Sequence, residues 1–273
     1  MTIAARLAET MHRTLFRTVS LLSPRGQGAV LSRYFDWWHR RPDPWNLTVD
    51  GYERHKYTAT LRQLPARPYR RILEVGCSEG VFTRLLAAAY PDAEITGIDI
   101  SARALSRARR RIGADRRVRF LEADLLSHHP GHRFDLVFCA ETLYYLGRDD
   151  RLRRASARLS DLLDPTGLLV VVHPWPEAAR LHRYLESGTA VVKLSEHVDT
   201  SVHRPFAVAV YQAARARRER PARPWLAAPA KDPRAAASDV QDRTLPTRLP
   251  GAPLTTAPPS LLWKGMDGRP QPG

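Results

Sequence analysis

A short stretch that combines acidic residues with spaced glycines constrains this chain more than any other feature. It reads Glu74-Val75-Gly76-Cys77-Ser78-Glu79-Gly80, and it follows a predicted strand and precedes a predicted helix over Val81–Tyr90. A second acid, Asp99, ends the next apolar run 19 positions after Gly80. That interval is close to the roughly 20 residues that separate a glycine loop from a ribose-binding carboxylate in a βαβ unit. The pattern therefore predicts an open α/β sheet with a site for a nucleotide-like ligand.

Two familiar phosphate-binding loops are absent from this stretch. A Gly-x-Gly-x-x-Gly loop is excluded because position 78 is Ser and position 79 is Glu, and the chain has no Gly-x-x-x-x-Gly-Lys-Ser/Thr loop. What remains is a site for an adenosyl group without a pyrophosphate. S-adenosylmethionine is a ligand of that kind. The glycine spacing counts against the dinucleotide site that an NAD-dependent reductase needs.

Strands and helices alternate through the middle of the chain. The predicted strands are Arg71–Val75, Glu94–Ile98, Val118–Leu121, Phe134–Cys139, Leu168–Val172, Thr189–His197 and Phe206–Tyr211. Helices are predicted between them at Val81–Tyr90, Ala102–Ile112, Asp150–Leu163 and Glu177–Glu186. Alternation of this kind implies a parallel sheet with right-handed crossovers. The last two strands have no helix between them, so we expect an antiparallel hairpin at one edge.

The two ends of the chain differ from this middle part. Residues 1–45 are predicted to be a helical and aromatic segment, a lid or cap, with a break at Ser23–Gly28. Residues 46–213 are predicted to form the catalytic domain. Residues 214–273 hold half of the 22 prolines and no sustained apolar period, so they are predicted to be a mostly disordered tail.

Composition limits the partners and the compartment. The formal net charge of +15 is spread along the chain and densest at its ends, without a patterned basic stripe, so we do not expect nucleic acid as the partner. The sequence contains no run of 18 apolar residues, so no membrane span is expected. Two cysteines are too few for a disulfide framework, and we expect a cytoplasmic protein. The histidines near position 130 flank a Pro-Gly pair, and no metal site is expected.

The carboxyl ends of the first four strands are expected to form the site, because ligands bind there in open parallel sheets. Gly76 and Gly80 would let the backbone approach the cofactor, and Glu74 would balance its ammonium group. Asp99 would accept both ribose hydroxyls and Asp124 the adenine amine. The predicted cofactor-binding set is Glu74, Gly76, Cys77, Gly80, Asp99, Ile100, Asp124, Leu125 and Ala140.

Residues 46–213 resemble class I S-adenosylmethionine-dependent methyltransferases, and more narrowly the nodulation protein S (NodS-like) group. The motifs that carry the resemblance are Asp43-Pro44-Trp45, Tyr52-Glu53-Arg54-His55-Lys56-Tyr57, Leu73-Glu74-Val75-Gly76-Cys77, Phe134-Asp135-Leu136 and Glu141-Thr142-Leu143-Tyr144-Tyr145-Leu146. The resemblance implies a Rossmann-like, seven-stranded sheet of order 3-2-1-4-5-7-6. It also implies N-methylation of a small-molecule amine such as an amino sugar.

Three residues at the ends of strands four and five are candidates for the catalytic base, namely Glu141, Tyr145 and His173. Glu141 could instead contact only the cofactor, and the tyrosines could be pocket wall. Trp45, Tyr52 and Tyr144 are predicted to bind the acceptor, since flat rings suit sugar faces and attract ammonium groups. The alternative for the aromatic segment is that it simply buries a helix on the core.

Other functions stay open at this stage. Methyltransferases that act on exocyclic amines of nucleic acids usually carry Asn/Asp-Pro-Pro-Tyr/Phe after strand four, where this chain has Ala140-Glu141-Thr142-Leu143. An O-methyltransferase of a small molecule and a non-catalytic module that only binds the cofactor are the remaining alternatives. The sequence does not indicate the oligomeric state.

Overall fold

A computed structural model describes residues 3–214, so the tail predicted over 214–273 lies outside the described residues except for Ala214. The helices are α1 (Ile3–Val19), α2 (Pro24–Trp38), α3 (Gly51–Arg62), α4 (Val81–Ala89), α5 (Ala102–Ile112), α6 (Asp149–Asp161) and α7 (Glu177–Glu186). The strands are β1 (Arg71–Val75), β2 (Glu94–Asp99), β3 (Val118–Glu122), β4 (Phe134–Ala140), β5 (Leu163–Pro174), β6 (Val191–Asp199) and β7 (Phe206–Ala213). A 3₁₀ turn, Leu143–Leu146, follows β4. Within this described part, no helix combines the length and the apolar character that a bilayer crossing requires.

The seven strands form one sheet of order β3-β2-β1-β4-β5-β7-β6. Strands β1 to β5 are parallel, and β7 runs antiparallel to both β5 and β6. The predicted sheet order and the predicted edge hairpin are both confirmed. Val75 pairs with Ile98 on one side and with Cys139 on the other. The carboxyl ends of β1, β2 and β4 therefore lie side by side at the point where the strand order reverses, which is where such sheets bind ligands.

Successive residues of the central strands pack on opposite faces of the sheet, as the period of two requires. In β4, Leu136 belongs to the core cluster that includes residues of α3 and α4, whereas Val137 belongs to the cluster that includes residues of α6 and α7. The same alternation places Val170 and Val171 of β5 in different clusters. Both faces are covered by helices, which explains why these strands read as continuous apolar runs rather than alternating ones.

Two predicted boundaries were wrong. The break predicted at Ser23–Gly28 is the start of α2, because the Ser23 hydroxyl caps the helix by accepting Gly26 N–H at 3.1 Å and Pro24 takes the first helical position. The fifth strand was predicted to begin at Leu168, after a helix ending at Leu163, but residues 164–167 lie inside β5 as a bulge. Strand β5 already begins at Leu163, which pairs with Phe134.

Candidate active site

One cavity lies at the carboxyl edge of the sheet, bounded by the loops after β1 to β4 and by α2 and α3. Most of the predicted site residues line it. These are Trp45, Glu74, Gly76, Cys77, Asp99, Ile100, Asp124, Leu125, Ala140, Glu141, Tyr144 and Tyr145. Gly80, Tyr52 and His173 do not. The described residues contain no cluster of three side chains that could hold a metal ion.

The conformation of the loop after β1 depends on a glycine at position 76. Gly76 has a φ of +75°, a conformation that favours glycine, and a Cβ there would collide with the Thr142 hydroxyl. The N–H groups of Gly76 and Cys77 both donate to the Ile98 carbonyl, at 2.8 and 3.0 Å. Ser78 also has a positive φ of +49°, and its buried hydroxyl has no hydrogen-bond partner among the described residues. The cavity edge is thus preformed, with a hydroxyl beside it that still lacks a partner.

Asp99, the last residue of β2, is held in the cavity wall by two backbone groups. Ser78 N–H donates to Oδ2 at 2.8 Å and Ser101 N–H donates to Oδ1 at 2.9 Å. Burial raises the pKa of Asp99, while the backbone N–H groups oppose that rise. Each oxygen still has a lone pair, so the carboxylate can accept two further hydroxyl donors. That capacity matches the predicted role of binding a ribose diol.

Asp124, two residues after β3, lies where α2 covers the sheet edge. Its Oδ1 accepts Leu126 N–H at 2.9 Å, and a Cβ on Gly28 of α2 would lie 2.8 Å from Oδ2. Gly28 therefore lets α2 approach this carboxylate closely. Burial raises the pKa of Asp124. An acceptor in this position suits an amine donor such as the adenine amino group.

Glu74 of β1 is a buried acid at the same cavity. Its Oε2 accepts the Thr83 hydroxyl at 2.5 Å. Burial raises the pKa of Glu74 to about 8, although the Thr83 hydrogen bond opposes the rise and Asp99 adds to it. An acid of this kind ionises more readily when a cationic group binds beside it, which fits the predicted partner of a ligand ammonium group.

Gly80 has a different role from the predicted one. It adopts a φ of +73° and caps the start of α4. A Cβ there would lie 3.0 Å from the Ala108 Cβ and 3.2 Å from the Phe120 ring, so the missing side chain lets α4 pack closely against α5 and β3. The prediction that Gly80 opens space for the cofactor is not supported by its position, because its free side faces the core and not the cavity.

Glu141 lies at the end of β4, at the other end of the cavity. Its backbone has a φ of +51°, an unfavourable value for a non-glycine residue that is frequent at functional sites. Its carboxylate accepts the Lys56 ammonium at 2.8 Å and the Tyr144 hydroxyl at 3.1 Å. We refer to the part of the cavity lined by Glu141, Tyr144 and Tyr145 as the acceptor end.

Lys56 of α3 joins Glu141 to a second glutamate, a link that no sequence motif predicts. Only 2% of its side chain is exposed, and Nζ lies 3.0 Å from Glu53 and 2.8 Å from Glu141. Burial on its own lowers the pKa of Lys56, but the two carboxylates together raise it above its ordinary value. Lys56 is therefore a fixed buried cation that holds Glu141 in place.

Tyr52 lies beneath this cluster and not in the cavity. Its ring centroid is 4.4 Å from the guanidinium of Arg204, in the loop between β6 and β7, and 5.1 Å from Lys56 Nζ. Arg204 also lies 3.9 Å from Glu53. Tyr52 is 6% exposed, so it supports the two cations and does not contact the cavity contents. The prediction that it binds the acceptor is not supported by its position.

The N-terminal segment supplies an aromatic roof over the acceptor end. The Tyr145 ring packs edge-on against Phe16 of α1 at 5.1 Å and Phe35 of α2 at 4.9 Å between centroids. Trp45 packs against His39 at 4.6 Å, and both line the cavity. These contacts place aromatic side chains of the segment in the cavity wall, whereas Trp37 is 52% exposed. That the segment acts as a lid stays a prediction.

Glu79 ties the turn that carries Trp45 to the loop after β1. Its Oε1 accepts Asp43 N–H at 2.9 Å and Arg107 NH1 at 3.0 Å, and it lies 3.2 Å from His39 Nδ1. Asp43 in turn accepts Leu47 N–H at 2.7 Å. These hydrogen bonds fix the turn as part of the cavity wall.

His173 lies behind the acceptor end and is fully buried. Its Nδ1 is 3.1 Å from His182 Nε2, and its Nε2 accepts Leu143 N–H at 3.4 Å. Burial lowers the pKa of His173 well below its ordinary value. A general base must reach the proton that it removes. The prediction that His173 is a catalytic base is not supported by its position.

The two cysteines are buried and free. Burial raises the pKa of both thiols, to about 12 for Cys139. Cys77 lines the cavity as predicted, whereas Cys139 packs into the core behind it. Neither provides a nucleophile.

Several residues that define the site were missed by sequence reasoning. They are Phe35, Glu53, Lys56, Ser78, Thr142 and Arg204, all of which line the cavity. Lys56 and Glu53 stand three residues apart on a helix, where such a pair ordinarily indicates a solvated face. Their sequence spacing alone could not have distinguished burial from exposure.

The polar groups that surround this cavity fit an adenosyl ligand with an amino-acid end. Acceptor-only carboxylates at the ends of β2 and β3, a buried acid in β1 and an unsatisfied hydroxyl at Ser78 surround one cavity, and Gly76 leaves room at its edge. This fold and this site are those of the class I S-adenosylmethionine-dependent methyltransferases. A family model for nodulation protein S (NodS) matches residues 31–209. Because that match covers more than half of the chain, the chain belongs to the NodS family of these methyltransferases.

Similar proteins agree with this assignment. Nodulation protein S of Sinorhizobium fredii is 35% identical over 129 residues, which is 47% of this chain and 59% of that protein. The crystal structure of N-methyltransferase NodS from Bradyrhizobium japonicum with S-adenosyl-L-homocysteine superposes with a TM-score of 0.59 at 26% identity, covering 67% of this chain and 97% of that one. Trans-aconitate 2-methyltransferase of Paracidovorax citrulli is 32% identical over 132 residues, 48% of each chain. The chain thus spans about three-fifths of the first relative and about half of the last.

Proposed function

We propose that this chain transfers a methyl group from S-adenosylmethionine to the nitrogen of a small-molecule amine, with an amino sugar as the preferred acceptor class. In this proposal residues 1–45 act as a cap, and residues 46–213 form the methyltransferase domain. Glu74, Asp99 and Asp124 would hold the cofactor, together with the backbone at Gly76 and Cys77. When bound, the cofactor supplies an activated methyl group on a sulfonium sulfur.

The observation that carries the proposal is the exposure of Glu141. In the charged cluster at this end, the exposed fraction is 24% for the Glu141 side chain, but only 2% for Lys56, 6% for Glu53 and 8% for Arg204. A carboxylate is therefore the most exposed charged group in this cluster. It would attract an ammonium acceptor, orient the nitrogen through a hydrogen bond and receive its proton. Tyr145, in the same wall, stays the second candidate for the base.

The similarity to an N-methyltransferase of the NodS group supports nitrogen as the acceptor atom. A carboxylate acceptor is the second candidate, because the similarity to trans-aconitate 2-methyltransferases covers about half of the chain. Against it, Lys56 and Arg204 both lie within ion-pair distance of a glutamate. An acidic acceptor would therefore meet Glu141 without a free cation to offset the repulsion.

The decisive experiment is an acceptor scan with radiolabelled S-adenosylmethionine. The panel would pair glucosamine oligomers with their N-acetylated forms and add simple amines, trans-aconitate, and DNA and RNA. We expect label in the free amino sugars and not in their acetylated partners. Label mainly in trans-aconitate would establish the O-methyl alternative, and label in nucleic acid would overturn the small-molecule assignment. Saturable S-adenosylhomocysteine binding with no labelled product in the panel would indicate a non-catalytic module.

Glu141→Gln should lower kcat/KM for the amine roughly tenfold, since a hydrogen bond to a charged group is worth about 1.5 kcal/mol or more. The affinity for S-adenosylhomocysteine should change less than twofold. Glu94→Gln, the same change at an exposed position at the start of β2, provides the matched control and should leave both constants unaltered. Unchanged amine kinetics in Glu141→Gln would remove Glu141 from the mechanism.

Asp99→Ala should weaken S-adenosylhomocysteine binding by about 1.5–3 kcal/mol, or roughly ten- to 150-fold in Kd by titration calorimetry, because the carboxylate is proposed to accept the ribose hydroxyls. Asp99→Asn keeps the size of the side chain and shows whether lost bonds to Ser78 and Ser101 disturb the loop. If Asp99→Ala is folded by circular dichroism and binds as tightly as the parent, the ribose assignment is wrong.

A further inference from the structure

A chain of buried polar contacts runs behind the acceptor end and is not used by the proposed chemistry. Leu143 N–H donates to His173 Nε2 at 3.4 Å, and His173 Nδ1 lies 3.1 Å from His182 Nε2 on α7. His182 Nδ1 in turn lies 3.6 Å from the Glu196 carboxylate on β6. Both histidines are at most 1% exposed. The chain therefore connects two elements at the sheet edge with the 3₁₀ turn that carries Tyr144 and Tyr145.

The geometry fixes the tautomers of both rings. A backbone N–H can only donate, so Nε2 of His173 must present a lone pair and Nδ1 must carry the proton. That proton is then donated to Nε2 of His182. The proton of His182 is consequently on Nδ1, the atom nearest Glu196. One backbone group thus sets the direction of every bond in the chain.

The His173 ring accepts a backbone hydrogen bond just beyond the point where the pairing of β4 with β5 ends. Glu141 N–H still donates to the Val172 carbonyl of β5 at 2.9 Å, as in a regular ladder. The chain then turns at Glu141, and Leu143, the first residue of the 3₁₀ turn, donates to the His173 ring instead of to a carbonyl. The next residue, Tyr144, donates its hydroxyl to Glu141. The His173 ring is therefore one of the groups that hold the turn which carries Tyr144.

We propose that His173 is a positioning residue for the acceptor end: its ring, oriented by His182 and Glu196, holds the 3₁₀ turn so that Tyr144 and Glu141 face the acceptor together. The inference rests on the proposed function, because it assigns the acceptor to this end of the cavity. It predicts an effect on acceptor binding and not on cofactor binding. The proposed cofactor carboxylates Glu74, Asp99 and Asp124 come from β1, β2 and the loop after β3, and not from the 3₁₀ turn.

Two substitutions at position 173 separate positioning from simple packing. The amide of Gln reaches the place of Nε2, so His173→Gln can still accept Leu143 N–H, whereas the shorter His173→Asn reaches only the place of Nδ1. We expect His173→Asn to raise the amine KM about tenfold and to speed hydrogen exchange of the Leu143 amide at least tenfold. Its kcat and its S-adenosylhomocysteine Kd should stay within threefold. His173→Gln should keep KM within threefold and keep the Leu143 amide protected.

Equal losses in the two variants, in step with their melting temperatures, would show that His173 only fills the core and would overturn the proposal. An unchanged exchange rate of Leu143 in His173→Asn would do the same. If that variant does not fold, His182→Leu leaves His173 in place. It should raise KM about threefold without altering cofactor affinity, and an unchanged KM contradicts the proposal. If the parent methylates no amine, the proposed function fails, while the Leu143 exchange rates still decide whether His173 holds the turn.

Discussion

Lys56→Met will lower the free energy of unfolding by about 3–5 kcal/mol at pH 7.5, the largest stability loss that we expect from a single substitution in this protein. The ammonium of Lys56 lies 3.0 Å from Glu53 and 2.8 Å from Glu141 and is 2% exposed. Met fills a similar volume but removes the cation that the two carboxylates share, and leaves Glu53 only its longer, 3.9 Å contact with Arg204. Urea unfolding monitored by circular dichroism measures the loss.

The chain offers a matched control for this substitution. Lys193 also lies between two glutamates, 2.7 Å from Glu186 and 3.4 Å from Glu196, but 33% of its side chain is exposed. Lys193→Met should cost about 1 kcal/mol or less, because water screens an exposed pair. Adding Glu53→Gln to Lys56→Met should restore part of the stability, since it removes one uncompensated charge. Similar losses at positions 56 and 193 would mean that burial does not control the strength of these pairs.

Comparison with Glu74→Gln will show that the buried Glu74 makes the unliganded parent less stable as the pH rises. Burial raises the pKa of Glu74 from 4.5 to about 8 in the folded protein. Between these two pH values the folded state keeps a proton that the unfolded state has released, so folding becomes less favourable as the pH rises. The stability of the parent minus that of Glu74→Gln should therefore fall by roughly 3–5 kcal/mol from pH 4.5 to pH 8, at about 1.4 kcal/mol per pH unit.

The ligand supplies the internal test of this prediction. S-adenosylhomocysteine carries an ammonium group, which we propose lies beside Glu74. A bound cation favours the ionised acid, so the pH dependence of the difference should become smaller when the ligand is saturating. Because both proteins share all other titrating groups, those contributions cancel in the comparison. A difference that is flat with pH would show that Glu74 is already ionised when buried, and a ligand effect of the opposite sign would place the ammonium elsewhere.

The sheet was predictable because its signals are local. Continuous apolar runs at β1, β4 and β5 indicate strands that are buried on both faces, and the absence of a helix between β6 and β7 predicts their hairpin. The errors occurred where a contact distant in sequence decided a boundary. Leu163 joined β5 because Phe134 pairs with it, and Gly28 is tolerated within α2 because Asp124 approaches there.

The proposed cofactor-binding residues could be predicted from the sequence more completely than the charged residues around the acceptor end. Asp99, Asp124 and Gly76 lie at the carboxyl ends of strands or within two residues of them, so the parallel arrangement brings them to one edge whatever the rest of the chain does. Lys56 and Glu53 are three residues apart on α3, but no local pattern indicates that Glu141 and Arg204, from distant parts of the chain, meet them there. His173 lies near the carboxyl end of its strand, as Asp99 does, yet its ring is enclosed by α7.

The sequence by itself determined the alternation of strands and helices and the edge hairpin, because these follow from local patterns. Its motifs also indicated the family, and the resemblance to that family implied the order of the strands. Only the tertiary structure decided which charged side chain reaches the cavity, that Tyr52 and His173 lie behind its wall, and that Gly80 serves helix packing. Burial depends on what packs over a residue, and a residue's own neighbours in sequence do not specify that.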